Sequence, residues 1–274
     1  MRIAHVNQSM FFLPLFDDNP TKSRPLVSWF VIFACILVYL FQSGLSPRED
    51  YAFVVLYGVI PARLFSQFDV LTIISSMFLH GGFMHLGSNM LYLWIFGDNV
   101  EDAMGKGRFI VFYLCCGAAA ALTQALIDPS STVPLIGASG GIAGILGAYI
   151  MLYPRATIKV FMWIIIFVRL LNVPAWLVLG FWIGGQFMAA PATLSSQAGV
   201  AYFAHIGGFI AGMVLVGLFK RPQIILFAPA KEKTWQVARP HVLRGDIKRR
   251  YVLEKTGHSG SVPGFKRRRK GPWD

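Results

Sequence analysis

Long apolar stretches separated by short polar segments run through most of the chain, and they predict helices that cross a membrane. A spanning helix needs about 20 mostly apolar residues, so the informative stretches are those without Asp, Glu, Lys or Arg. The longest, residues 170–219, is interrupted by the polar, turn-rich residues 191–199 and therefore has room for two helices. The six predicted spans are residues 25–47, 70–97, 109–127, 129–154, 173–190 and 200–219.

The fold class predicted from this pattern is an all-α polytopic membrane protein, built as a bundle of six transmembrane helices. The bundle occupies residues 25–220, between an N-terminal segment of residues 1–24 and a C-terminal tail of residues 221–274. The apolar run 160–168 is too short to cross, so we expect it at the membrane interface or as an extension of the fifth span. The first apolar run lacks a small-residue cleavage site, which predicts a retained span and no secretory signal peptide.

Composition excludes most alternatives to a membrane protein. Hydrophobic residues make up 55% of the 274 residues and charged residues only 14%, whereas soluble domains carry roughly 45–50% and about 25%. The same figures exclude a disordered or collagen-like chain. The cysteines Cys35, Cys115 and Cys116 lie in apolar runs without neighbouring histidines, so we expect neither a disulfide framework nor a metal site.

Basic residues gather on one side of the predicted bundle. The net charge is +12, and residues 220–274 contain 15 Lys and Arg against four Asp and Glu. Residues 1–24, 105–108 and 153–159 also carry Lys and Arg and fall on the same side. Basic loops face the cytoplasm, so both termini are predicted to be cytoplasmic. We expect the tail to attract anionic lipid heads; nucleic acid is not an expected partner, since a basic tail on a membrane protein is poor evidence for it.

Several polar residues lie inside the predicted spans, where such groups are costly and usually functional. Those of the second, fourth and sixth spans fall at one shared depth below the outer surface, which scattered structural residues would not do. The polar positions are His80, His85, Asn89, Gln124, Ser139, Asn172, Gln186 and His205.

Ser139 opens the fourth span within the segment Gly137-Ala138-Ser139-Gly140-Gly141. A serine at a helix start is often only a cap. The glycines, however, let backbone approach closely and leave N–H groups unblocked, and a helix N-terminus favours developing negative charge. These are the properties required of an acyl-transfer nucleophile with an adjacent oxyanion site.

His205 lies about one and a half turns into the sixth span, beside a close-packing stripe of Ala204, Gly208 and Gly212, which repeat every four residues. One reading is a packed structural histidine. Close approach of this stripe to the fourth span would instead bring the imidazole to Ser139, where a neutral histidine accepts the serine proton and returns it to the leaving amine. No Asp or Glu lies at this depth, so an orienting carboxylate is not predicted.

His85 and Asn89 are four residues apart and therefore share one helical face. Both side chains can donate hydrogen bonds, so with the Ser139 backbone N–H they form a candidate oxyanion site. The alternative is a polar stripe that holds helices together. For His80, near the membrane surface, a structural hydrogen-bonding role is predicted.

Three motifs together resemble the rhomboid family of intramembrane serine proteases: His80-x4-His85-x3-Asn89, Gly137-Ala138-Ser139-Gly140 and Ala204-His205-x2-Gly208-x3-Gly212. The resemblance covers roughly residues 25–220 and fits the compact six-span bacterial form, which implies the bacterial inner membrane. It implies a catalytic dyad of Ser139 and His205, an oxyanion site of His85, Asn89 and the Ser139 backbone, and no metal or cofactor. Implied substrates are single transmembrane segments, cut near their outer end at small residues. Residues 44–79 would form a half-embedded first loop, and the fifth span a lateral gate.

Two features depart from the family pattern. Many members carry an aromatic residue four positions after the serine, where this chain has Ala143, and the first loop lacks the frequent Trp-Arg pair. We therefore expect an aromatic ring from elsewhere to support the His205 imidazole, with Phe209 the first candidate and Trp182 the second. The alternatives to a protease are a catalytically inactive client-binding relative, a transporter or channel, and a non-proteolytic serine acyltransferase.

Overall fold

The computed structural model describes residues 10–164, 167–193 and 201–229. These residues lie within Met1–Lys231, the first of two units into which the chain divides; the second is Glu232–Asp274. Most of the predicted tail, and most of the predicted break at residues 191–199, lie outside the described residues, so both stay predictions.

Helices make up most of the described chain. The longest of them are two 22-residue helices, α5 (Phe83–Met104) and α6 (Lys106–Ile127). In chain order the helices are α1 (Leu26–Ser43), α2 (Pro47–Tyr57), α3 (Pro61–Gln67), α4 (Thr72–Ser75), a 3₁₀ turn (Ser76–Phe78), α5 (Phe83–Met104), α6 (Lys106–Ile127), α7 (Ser139–Leu152), α8 (Ala175–Thr193) and α9 (Tyr202–Phe219).

Within the described residues, three helices are long and apolar enough to cross a membrane: α1, α6 and α9. Two shorter apolar helices accompany them, α7 and the Ala175–Pro191 part of α8. Helix α5 is also long, but its last two turns carry Asp98, Glu101 and Asp102. Length and composition therefore agree with a membrane bundle, while the number of six spans stays a prediction.

The second predicted span, residues 70–97, was wrong in its limits. Its helix begins only at Phe83, because the chain turns at Gly82 with a φ of +156° that side chains rarely adopt. Residues 72–78 instead form α4 and the 3₁₀ turn, and His80 precedes the helix rather than lying in it. At its other end α5 continues through three acidic residues to Met104.

Two of those acidic residues, Glu101 and Asp102, accept hydrogen bonds from residues at and just before the start of α1. The Glu101 carboxylate, only 1% exposed, accepts hydrogen bonds from the Val27 and Ser28 backbone N–H groups at 3.0 and 2.8 Å and from the Ser28 hydroxyl at 2.9 Å. A helix N-terminus carries partial positive charge and attracts an anion. Asp102 likewise accepts from the Ser23 hydroxyl at 2.6 Å. The end of α5 is thus hydrogen-bonded to the first residues of α1 and to the segment just before them.

A three-stranded antiparallel sheet corrects the all-α prediction. Its strands are β1 (Met10–Asp17), β2 (Thr157–Ile164) and β3 (Phe167–Pro174), in the order β1-β2-β3. The run 160–168 was expected at the interface or as an extension of the fifth span; its described residues 160–164 and 167–168 lie in β2 and β3 and not in a helix, while a place at the interface stays a prediction. The physical basis of β2 is a period of two, since Ile158 and Val160 are buried while Lys159 between them is not.

Glycines bring α7 into backbone contact with α9 and close to α6. A Cβ at Gly212 would lie 2.6 Å from the Gly144 carbonyl carbon, and a Cβ at Gly208 would lie 3.1 Å from the Gly140 carbonyl carbon. A Cβ at Gly144 would lie 2.5 Å from Cys116 Sγ on α6. Small residues permit such approach, and every residue of α7 from 141 to 149 is buried. The packing holds the start of α7 beside the start of α9.

Candidate active site

One cavity of about 660 Å³ brings together the four side chains proposed for chemistry. Its lining includes His85 and Asn89 from α5, Ser139 from α7 and His205 from α9. Residues 133–136, which precede α7, and Trp182 of α8 complete much of the wall. The four side chains expected to lie together thus share one cavity, while their depth in a membrane and their chemical roles stay predictions.

Ser139 is placed by the sharp turn that precedes α7. Gly137 has a φ of +119° and donates its N–H to the Ser76 carbonyl at 2.8 Å. A Cβ at Gly137 would also lie 2.7 Å from His85 Nε2, so a side chain here would displace the imidazole. Because α7 begins at Ser139, the N–H groups of its first turn have no partner within the helix. The serine therefore sits among N–H groups that the helix itself leaves unpaired.

Asn89 presents a buried donor that has no partner. The residue is 6% exposed, and its amide Nδ2 makes no hydrogen bond with any part of the chain that the structure describes. That nitrogen lies 3.7 Å from the position of a Gly137 Cβ, immediately before the serine turn. A buried unpaired donor costs about 1–3 kcal/mol, and such groups often mark functional sites. The arrangement suits an oxyanion donor.

His85 and His80 occupy different positions. His85 Nδ1 accepts a hydrogen bond from the Gly81 N–H at 3.3 Å, and its ring lines the cavity. His80 is buried and does not appear among the lining residues of that cavity. The backbone N–H of His80 donates to Gln42 Oε1 at 3.1 Å. The His80 ring meets the His85 ring edge-on, with centroids 5.2 Å apart. His80 thus packs against His85, and its structural role stays a prediction.

His205 is held mainly by α8. Its Nδ1 lies 2.7 Å from Gln186 Oε1, and the Trp182 ring packs on the imidazole with centroids 5.8 Å apart and planes inclined by 37°. Of the two rings expected to replace the one missing at Ala143, the second candidate, Trp182, is therefore the one present. Among the ring contacts of the described residues, Phe209 packs on Trp182 at 6.2 Å and not on the imidazole.

Within the described part of the chain, no hydrogen bond joins the Ser139 hydroxyl to His205, although both line the cavity. Catalytic hydrogen bonds are often long before substrate binds. The described residues also contain no group of three His, Cys, Asp or Glu side chains that could hold a metal ion. The side chains that converge here are a hydroxyl, two imidazoles and an amide.

The contact of Gln186 with His205 is not predicted from the sequence. Gln186 is among the polar residues of the fifth span, but the prediction of an orienting group for His205 considers only Asp and Glu. One feature of the sequence does point to such a contact. Gln186 and the indole of Trp182 are the polar side chains of residues 180–190, in the otherwise apolar α8. A lone amide in such a helix needs a hydrogen-bond partner from another helix.

Comparison with known proteins finds relatives of this chain. The family model of the Rhomboid domain matches residues 67–222, more than half of the chain. Rhomboid protein 1, mitochondrial, of Saccharomyces cerevisiae is 32% identical over 161 residues, covering 53% of this chain and 40% of that protein. Rhomboid protease GlpG of Salmonella newport and of Salmonella heidelberg is 27% identical over 195 residues, covering 69% of this chain and 61% of the relative. The matches thus span less than two thirds of these relatives.

Proposed function

This chain belongs to the rhomboid family, and from that premise we propose that it is an intramembrane serine protease that cleaves transmembrane segments. The family and the apolar helices make it an integral, multi-pass membrane protein. The observation that carries the proposal is the single cavity lined by His85, Asn89, Ser139 and His205, which come from three different helices.

In the proposed reaction the Ser139 hydroxyl attacks the scissile carbonyl of a substrate segment. His205 accepts the serine proton and then donates it to the leaving amine, and water hydrolyses the resulting acyl-enzyme with the same histidine as base. The developing oxyanion is stabilised by Asn89 Nδ2, His85 and the backbone N–H of Ser139. Loss of one such donor typically costs about 10²–10³-fold in turnover, so removal of the unpaired Asn89 amide should have an effect of that size.

The short length of α7 supports a site below the membrane surface. Its 14 residues extend about 21 Å at 1.5 Å per residue, whereas the hydrocarbon core is about 30 Å thick. If the far end of α7 lies at one face, Ser139 lies well inside the other. Non-helical backbone at that depth is tolerated where it lines a water-filled cavity, and residues 133–136 line this one. Water can then reach the acyl-enzyme.

The proposal extends to topology and location. Six spans place residues 1–24, 105–108, 153–159 and the basic tail on the cytoplasmic side, and the site near the outer face. We place the protein in a bacterial inner membrane, with single transmembrane segments as substrates and anionic lipid heads as partners of the tail.

Comparison of cells that carry the wild-type protein or Ser139→Ala tests this function. Mass spectrometry of membrane proteins should reveal fragments, cut near the outer end of a span, only with the wild type. A fluorophosphonate should label the wild type and not the variant. Identical fragment profiles together with an unlabelled wild type would favour an inactive, client-binding protein and would contradict the proposal.

A further inference from the structure

We propose that Gln186 is a positioning residue, which fixes the tautomer and the orientation of the His205 imidazole. The inference rests on the proposed protease function, because it assigns His205 the role of general base. Three observations on α8 carry it: the hydrogen bond between His205 Nδ1 and Gln186 Oε1, the hydrogen bond from Gln186 Nε2 to the Trp182 carbonyl, and the Trp182 ring beside the imidazole.

The direction of the Gln186 amide follows from its second contact. Its Nε2 donates to the Trp182 carbonyl, one turn earlier on the same helix, at 3.4 Å. A backbone carbonyl only accepts hydrogen bonds, so the amide nitrogen must face Trp182 and the amide oxygen must face His205. The 2.7 Å contact to Nδ1 is therefore made by an acceptor.

An acceptor at Nδ1 determines where the imidazole proton resides. A neutral imidazole carries a proton on one nitrogen and a lone pair on the other. Because Gln186 Oε1 cannot donate, the proton must be on Nδ1, and the lone pair is on Nε2. Nε2 is then the nitrogen that can accept the Ser139 proton. The opposite tautomer would leave two lone pairs facing each other at Gln186 and no base towards the serine.

The amide also suits the low-polarity surroundings of this site. In serine proteases of the triad type a carboxylate orients the histidine, but a charged side chain within a membrane is costly. An amide oxygen accepts the same Nδ1–H without a charge, and its bond strengthens when the imidazole becomes cationic during the reaction. The structure thus supplies the orienting acceptor that the sequence lacks among its acidic residues.

Helix α8 supplies the ring support as well, through Trp182, four residues before Gln186. Residues four apart lie on one face of a helix, so the indole and the amide approach His205 together. Ala143 offers no ring from α7. Two contacts from one helical face therefore replace the single aromatic support, and they fix both the tilt and the rotation of the imidazole.

The first test uses two substitutions at one position in the full-length protein, reconstituted with a single-spanning model substrate. Gln186→Met keeps the length but removes the oxygen acceptor, and kcat should fall about 10- to 100-fold while KM stays within about twofold. Gln186→Glu keeps an oxygen acceptor and should be at least about tenfold more active than Gln186→Met. Phe187→Met, on the exposed neighbouring residue, should match the wild type.

The second test reads the tautomer directly and does not require activity. Nitrogen NMR of histidine-labelled, folded Ser139→Ala protein, with His205→Ala for assignment, should show a protonated Nδ1 and an unprotonated Nε2 at His205. Gln186→Met should convert this signature to a mixture of tautomers. A protonated Nε2 in the parent protein would overturn the inference, even if the glutamine variants failed to fold.

The two proposals fail in different ways. A wild-type protein that neither cleaves the model substrate nor reacts with a fluorophosphonate contradicts the protease function. An active wild type whose kcat is unchanged by Gln186→Met leaves that function standing and refutes the positioning role. An equal rise of KM in Gln186→Met and Gln186→Glu, with kcat unchanged, would also refute it, since it would assign Gln186 to substrate binding.

Discussion

Replacing Gly212 by alanine should separate the two helices that carry Ser139 and His205. A Cβ at this position would lie 2.6 Å from the carbonyl carbon and 2.7 Å from the Cα of Gly144, whereas ordinary contact begins at 3.4 Å. The obstacle is backbone in the centre of the bundle, so no side-chain rotation relieves it. Helix α9 must move from α7 by at least about 0.8 Å, the difference between 2.6 and 3.4 Å.

A displacement of that size should damage catalysis more than folding. Misplacement of a catalytic group by about 1 Å can cost about 10²-fold in rate, so kcat for a single-spanning substrate should fall by about two orders of magnitude. Overpacking costs about 1–3 kcal/mol, which thermal unfolding in detergent should detect as a lower Tm. Activity is measured well below that Tm, so that the variant is folded.

Gly217→Ala on the same helix is the matched control. A Cβ there meets nothing within 4 Å, and alanine is favoured over glycine in a helix by up to about 1 kcal/mol. This variant should keep the wild-type kcat and an equal or higher Tm. A Gly212→Ala protein with wild-type kcat and Tm would show that the contact between α7 and α9 does not set the position of His205.

Three further outcomes are expected. Asn89→Ala should lower kcat by up to about 10²–10³-fold with little change in KM; a change confined to KM would make Asn89 a packing residue. Burial raises the pKa of Asp17 from 3.8 to about 7. The stability that protonated Asp17 contributes is therefore complete below pH 3.8 and is lost as the pH rises to about 7. The loss is about 1.4 kcal/mol per pH unit. The Tm in detergent should fall over that range, and Asp17→Asn should flatten the slope; equal slopes would refute this assignment. Deletion of residues 231–274 should preserve cleavage in detergent but weaken association with anionic lipid; a folded but inactive truncation would show that the tail supports the core.

The sequence predicted the limits of a helix best where the whole helix is one apolar run. Helices α1, α6 and α9 lie within or close to their predicted limits because length and hydropathy alone specify them. The start of α5 was misplaced, since the turn at Gly82 depends on backbone geometry rather than on hydropathy. Its end was misplaced because Glu101 and Asp102 accept hydrogen bonds from residues at and just before the start of α1, which are distant in sequence.

The sheet was missed for a related reason. Strand β1 pairs with β2 across a long stretch of chain, for example Phe12 with Met162, and no local pattern indicates that pairing. At the site, the spacing of small residues predicted close packing of the helices, and the four candidate side chains line one cavity. The partner of His205 required knowledge of which face of α8 meets α9, and only the structure provides it.

Cleavage kinetics of the two proposed dyad residues test the central claim most directly. The purified protein, reconstituted in lipid vesicles with a single-spanning substrate, is compared with Ser139→Ala, His205→Ala and the double variant. Each single change should abolish cleavage in a folded protein, and the double variant should be no worse than either, because groups that act as one unit are not additive. Cleavage by Ser139→Ala at the wild-type rate would contradict the account.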